Sequence, residues 1–288
     1  MSTIAFIGDV GGHARLYADA LRSLGANPTT GVIPHGLIII QVGDLVRLAI
    51  RRGAFSDECV AISDRFLSHS PDQFVQLWGN HEIAALGGPT RPAWIGEIPQ
   101  ETCRTMWRWW TNRQAHSACV VHTKNGNPLL VTHAGLTYDV WQHTGGGNAT
   151  ATAQALNTTM RQPQDSHAGI LVHNQVDFSA DVLWADAAQE LHPSWVGREA
   201  APFDQIHGHS SIWDWYDKKF VPHIPKTLQD NCAIDIERMI TYAELTPGNV
   251  AIGIDWVLND RATIGPWPLF VLNNVTLDTS TALSTKAA

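Results

Sequence analysis

Three times in the amino-terminal part of the chain an apolar run ends in glycine followed by a side chain that can bind a hard cation. These are Ile7-Gly8-Asp9, Val42-Gly43-Asp44 and Trp78-Gly79-Asn80. Two further motifs follow apolar runs downstream, Thr132-His133-Ala134-Gly135 and His207-Gly208-His209-Ser210. Open α/β sheets gather their sites at the carboxyl ends of strands, and glycine permits the tight turn that aims the next side chain inward. Taken alone, each Gly-Asp reads equally well as a turn after a strand, and each histidine as a satisfied core residue. Taken together, Asp9, Asp44, Asn80, His133 and His209 read as one ligand set. Mixed carboxylate, carboxamide and imidazole donors suit Mn, Fe or Zn rather than an all-oxygen calcium site, and the sequence does not choose among the three.

Such ligands need a frame that delivers them to one place. The apolar runs Thr3 to Ile7, Leu37 to Val42 and Gln73 to Trp78 predict strands. Helical spacing follows the first through Leu16, Ala20, Leu21 and Leu24, and follows the second from Glu58 to Leu67 through Val60, Ile62, Phe66 and Leu67. Further strands are expected at Ala118 to His122, Pro128 to Thr132, Asp204 to His207, Cys232 to Ile236, Met239 to Leu245 and Val250 to Ile254. Strands alternate with helices early and meander late, which predicts an α/β sandwich whose mixed sheets are flanked by helices. A Pro- and Trp-rich insert spans about 87–114, with a helix whose apolar face runs through Cys103, Met106, Trp107 and Trp110. It reads as a helix on the core or as a wall beside the site. One domain over 1–275 is expected, and the Ser/Thr/Ala-rich 276–288 reads as a disordered tail.

Composition narrows the function classes. Hydrophobic residues make up 44% of the chain and charged residues only 16%, enough apolar material for a sizeable core. The net charge of −8, with no dense Lys/Arg run, argues against a large nucleic-acid footprint. The first residues lack a basic segment, and Gly8-Asp9 cuts their apolar run short, so neither a signal peptide nor a membrane span is expected, and the reading is cytoplasmic. Cys59, Cys103, Cys119 and Cys232 lie far apart without a Cys-x-x-Cys pair and read as reduced thiols.

From residue 8 to residue 209 the order Gly-Asp, Gly-Asp, Gly-Asn-His-Glu, His-Ala-Gly, Gly-His resembles the calcineurin-like metallophosphoesterases. It is closest to the branch of phosphoprotein Ser/Thr phosphatases and bacterial diadenosine-tetraphosphate hydrolases. Val182-Leu183-Trp184-Ala185-Asp186 is similar to the Leu-Trp-Ser-Asp stretch of the protein phosphatases. The resemblance implies a four-layer αββα sandwich and two divalent metal ions, with Mn expected and Fe or Zn as alternatives. It implies that Asp44 bridges the metals, Asp9 binds the first, and Asn80, His133 and His209 complete the second. It implies that His81 protonates the leaving group, and that Arg198 stands where those enzymes bind phosphate. Metal-activated hydroxide would attack the phosphorus of a phosphoprotein or small phosphoester.

The chain departs from the pattern in places that carry chemistry. Where the family has Asp-x-His, this sequence reads Asp9-Val10-Gly11-Gly12-His13, so His13 becomes the candidate ligand if the glycines let the loop fold back. Where the family has Gly-Asp-x-x-Asp-Arg, it reads Gly43-Asp44-Leu45-Val46-Arg47-Leu48, which removes the carboxylate that orients the catalytic histidine. The family's second phosphate arginine then corresponds to Arg52 or to Arg47, with Arg52 preferred. Ser211 in the last motif follows the protein-phosphatase pattern. The leading expectation is phosphomonoester hydrolysis. The rivals are hydrolysis of nucleotide or dinucleotide polyphosphates and a degenerate, non-catalytic binding module.

Overall fold

Alternate residues of the first strand, β1 (Ser2–Ile7), enter two different cores. Ala5 and Ile7 pack with Tyr17 and Leu21 of helix α1 (Ala14–Ser23), whereas Ile4 and Phe6 pack with Val121, Val131 and Ile206. The period of two along a strand thus gives one face to helices and the other to a second set of strands. The computed structural model describes residues 2–47, 55–89, 98–124, 126–166, 180–222, 224–255, 267 and 269–282.

On one side of β1, β2 (Leu37–Gln41), β3 (Phe74–Leu77) and β4 (Ala115–His116) follow in parallel. On the other, β13 (Phe270–Leu277) runs antiparallel to β1 and, through Thr276 and Leu277, pairs with β5 (Ala118–His122). Beyond β5 come β6 (Leu129–Thr132) antiparallel, then β7 (Asp204–His207) and β12 (Asn249–Gly253) parallel. The half ends with β11 (Ile240–Thr246) and β10 (Cys232–Asp235), both antiparallel to their neighbours. The hydrogen-bonded order is therefore β10-β11-β12-β7-β6-β5-β13-β1-β2-β3-β4. A short hairpin, β8 (Trp213–Asp214) and β9 (Lys219–Phe220), stands apart.

The two halves face each other across an apolar interior to which Val42, Val75 and Leu77 contribute from one side and Cys119, Leu129 and Ile252 from the other. Helices α1, α2 (Ser56–His69) and α4 (Gln100–Thr111) cover the β1–β3 half. Helix α6 (Ala149–Thr159) covers the β5–β6 half through Ala153 and Leu156. Helices outside and strands inside make the four layers that the motif order implied. Among the described residues no helix is long and apolar enough to cross a membrane, and the four cysteines are free thiols.

Some expectations need correction. β13, the strand that joins the halves, escapes a pattern reading because Asn273-Asn274 sits in its middle like a turn. There the register against β1 shifts between Ser2 and Ile4, and Asn274 takes a φ of 58°, the signature of a bulge. The tail expected from 276 onward instead continues β13 to Leu277 and adds a short helix, Thr279–Ala282; residues 283–288 lie outside the described residues. Buried Leu277, Thr281 and Ala282 supply the packing that the Ser/Thr/Ala composition was expected to lack. In α4 the inward aromatic is Trp109, 0% exposed and donating to Asp64 Oδ1 at 2.8 Å, whereas Trp107 is 42% exposed. That helix packs on the core beside α2.

Candidate metal centre

The carboxyl ends of β1, β2 and β3 in one half meet those of β6 and β7 in the other. Asp9, Asp44, His133 and His209 each offer a ligand atom within 4.8 Å of the others. Close approach of the loops explains the glycines. A Cβ on Gly43 would lie 2.6 Å from Gly79 N and 2.9 Å from His133 Nδ1, and one on Gly79 would lie 2.2 Å from Asp44 Oδ1. The two turns therefore touch backbone to backbone. Asp44 and His209 hold left-handed φ angles of 55° and 64°, conformations that non-glycine residues keep only where the surroundings enforce them.

Enforcement comes largely from Glu82, whose role the motif alone did not disclose. Helix α3 (Asn80–Ala85) starts at the ligand asparagine, so Glu82 falls in its first turn and points back at the loops. Its Oε2 accepts the N–H of Asp44 at 2.8 Å and of Gly79 at 3.0 Å, and its Oε1 accepts that of Val46 at 2.9 Å. One buried carboxylate thus ties the Gly43-Asp44 and Gly79-Asn80 turns together.

Hydrogen bonds also fix the imidazoles. His133 Nδ1 lies 2.9 Å from Val42 O, which can only accept, so the proton is on Nδ1 and Nε2 keeps its lone pair for a metal. The Asn80 amide sits 3.0 Å from that Nε2. With its nitrogen facing inward it donates to Nε2 and, at 3.1 Å, to both Asp44 oxygens. The same amide presents its oxygen to a cation after a half-turn about its last bond. The His209 backbone donates to Asp9 Oδ1 at 3.0 Å, and the rings of His133 and His209 lie 5.0 Å apart.

The site is desolvated and acid-rich. Burial, and then the charges of Asp255 and Asp44, raise the Asp9 carboxyl well above the usual carboxylate range. Burial, and then Glu82, does the same to Asp44. Asp255 is pushed up to about 7 by burial. Burial lowers His133 well below the ordinary imidazole range, with His209 adding to it. Carboxylates held this close and dry favour either protons or a cation, and unprotonated imidazoles beside them favour the cation. Donor chemistry and tautomer thus both fit a divalent metal.

His81 meets a backbone carbonyl and a carboxylate together. Val46 O lies 3.0 Å and Asp44 Oδ2 3.4 Å from His81 Nδ1, and the His81 backbone N–H donates to Asp44 Oδ1 at 3.0 Å. Arg47 lies beside this pair: its guanidinium would be 3.8 Å from a Cβ on Gly11, and its charge acts on both Asp44 and His81. Arg52, the residue preferred for that role, lies outside the described residues. His13 does not join the four-residue group; the N–H groups of Gly11 and Gly12 donate to Asp44 O and Leu45 O at 2.7 and 2.9 Å, and His13 becomes the residue that opens α1. Arg198 is exposed and lies 4.9 Å over the Tyr138 ring. Asp255 was missed. Its signal was the same one, an apolar run, Val250 to Ile254, ending in an acid.

No curated protein matches the sequence. Among solved structures, a point mutant of a cold-active protein tyrosine phosphatase aligns at 14% identity and a TM-score of 0.50, over 98% of this chain and 80% of that one. A cold-active protein-tyrosine phosphatase of a psychrophilic Shewanella species aligns at 16% identity and 0.48, over 73% of this chain and 66% of its own. A protein serine/threonine phosphatase from Saccharomyces cerevisiae aligns at 16% identity and 0.48, over 93% and 83%. Likeness at these identities concerns the fold. A family model described as calcineurin-like phosphoesterase matches residues 2–237, which takes in every ligand of the group above, and the chain belongs to that family of metal-dependent phosphoesterases.

Proposed function

We propose that the chain hydrolyses phosphomonoesters in the manner of the protein phosphatases, at a dinuclear centre in which Asp44 stands between two cations. The observation that carries this reading is the convergence of Asp9, Asp44, His133 and His209 within 4.8 Å, with the Asn80 amide against Asp44 and His133. Divalent cations held there polarise phosphoryl oxygens and lower the pKa of water, with Mn expected and Fe or Zn as alternatives. The protein's own groups do the rest. Together with Asp44, the residues Asn80, His133 and His209 would offer an amide oxygen and imidazole nitrogens to one cation, and Asp9 would offer a carboxylate to the other. His81, whose Nδ1 lies 3.0 Å from Val46 O, is the group proposed to exchange a proton with the leaving oxygen. For the phosphate arginine expected at Arg52 or Arg47, the reading takes Arg47, whose charge acts at the Asp44–His81 pair.

A substrate panel tests this. Metal-free protein reloaded with Mn²⁺ is assayed on a phosphopeptide, an aryl phosphate and diadenosine tetraphosphate. Turnover of the two monoesters supports the reading, preference for the dinucleotide moves it to polyphosphate hydrolysis, and no turnover with Mn²⁺, Fe²⁺, Zn²⁺ or Co²⁺ leaves a binding module.

A further inference from the structure

One acidic residue at the strand ends has no place in the ligand set described so far. β12 runs parallel to β7 with Gly253 opposite His207, and Ile254 N donates to His207 O at 2.9 Å. Asp255 follows two residues past that register pair. From the other half of the sandwich Gly8 presses on the same segment: a Cβ there would lie 2.6 Å from Ile254 O and 3.8 Å from Asp255 Cα. Asp255 therefore sits beside the turn that carries Asp9. It is 3% exposed. Trp215 bonds its backbone carbonyl, and among the described residues no hydrogen bond or ion pair meets its carboxylate.

A buried carboxylate without a donor is costly, and here it adds to two others, Asp9 and Asp44. Of the charges acting on Asp9, that of Asp255 is the largest. Asp255 stands outside the group of Asp9, Asp44, His133 and His209, whose atoms lie within 4.8 Å of one another; its tie is to Asp9, through the Gly8 turn that presses on its segment. The geometry points to Asp255 as the ligand that completes the first metal position beside Asp9 and Asp44, where Gly11 leaves that position without its motif histidine. The inference rests on the dinuclear reading above. It makes the pair chemically unequal, with three carboxylates on one side and Asp44, Asn80, His133 and His209 on the other. Hard oxygen donors favour Mn²⁺ or Mg²⁺ at the first position, and imidazoles favour Zn²⁺ or Fe²⁺ at the second.

The test is a calorimetric titration of metal-free protein with Mn²⁺, with elemental analysis of the bound metal and thermal melts of the metal-free forms. It compares wild type with Asp255→Asn, and with Asp255→Ser as a second, smaller replacement. Wild type is expected to take two Mn²⁺. Both variants are expected to keep one site within about twofold and to weaken the other at least about tenfold. Their metal-free melting temperatures are expected to equal or exceed that of wild type, because a buried repulsion is gone. Two unchanged affinities in both variants would overturn the assignment and leave the dinuclear reading standing. Equal weakening of both sites with a lower metal-free melting temperature would overturn it in favour of a packing role. A wild type that takes up no second Mn²⁺ would remove the dinuclear reading itself.

Discussion

Glu82 Oε2 accepts the backbone N–H of Asp44 at 2.8 Å, so a residue that reaches no proposed metal position holds the conformation of the one that would reach both. The same carboxylate also receives Gly79 and Val46, and it is buried with all three. Glu82→Gln keeps the shape but replaces one acceptor oxygen with a donor that faces N–H groups. The expected cost is about 1–3 kcal/mol of stability. Urea denaturation of the metal-free protein measures it; a loss below a few tenths of a kcal/mol would show that the loops hold themselves.

Asp44→Asn is expected to be the most damaging ligand substitution, since Asp44 faces His133, Asn80 and His81 at once. Turnover should fall by at least about 100-fold, more than for Asp9→Asn. Steady-state rates at saturating Mn²⁺ decide the order, and activity comparable to wild type would refute the bridging position.

His81→Ala is expected to lower kcat for an alkyl phosphate more than for a nitrophenyl phosphate, because an alkoxide needs the proton and a nitrophenolate hardly does. General acid–base assistance is worth roughly 100- to 10,000-fold, so the difference between the two substrates should be large. Equal losses on both would make His81 a residue that positions substrate.

The sequence disclosed the ligands because each follows an apolar strand, four of the five directly after a glycine, and that repetition is hard to read otherwise. It could not disclose the contact of His81 Nδ1 with Val46 O, because backbone carbonyls leave no mark in a sequence. Asp255 also follows an apolar strand but lies beyond the stretch that carries the family resemblance, on a strand whose place beside β7 is set by long-range pairing. β13 failed for a local reason, a bulge at Asn273-Asn274 that looks like a turn. In α4, Trp107, Trp109 and Trp110 lie too close together for helical spacing to choose the inward ring; the Asp64 acceptor on α2 chose Trp109.

Asp278 ties the carboxyl-terminal segment to β5 and α6, receiving Ser280 N at 3.1 Å, Ser280 Oγ at 2.7 Å and Thr150 Oγ1 at 2.7 Å. Burial alone would raise its carboxyl, but these hydrogen bonds outweigh it and hold the group below the ordinary value. A depressed folded pKa contributes stability that is present above the unfolded carboxylate value of about 3.9 and lost as pH falls through the folded one. Asp278→Ala should therefore cost about 1–2 kcal/mol near pH 7. The gap to wild type should narrow progressively below pH about 4. Paired thermal melts across that range check it, and a gap that stays constant would contradict the assignment.

Anomalous scattering from crystals of the Mn²⁺-loaded protein tests the dinuclear centre most directly. The account predicts two peaks flanking Asp44, one against Asn80, His133 and His209 and the other against Asp9 and Asp255. A single peak, or peaks away from Asp44, would contradict it.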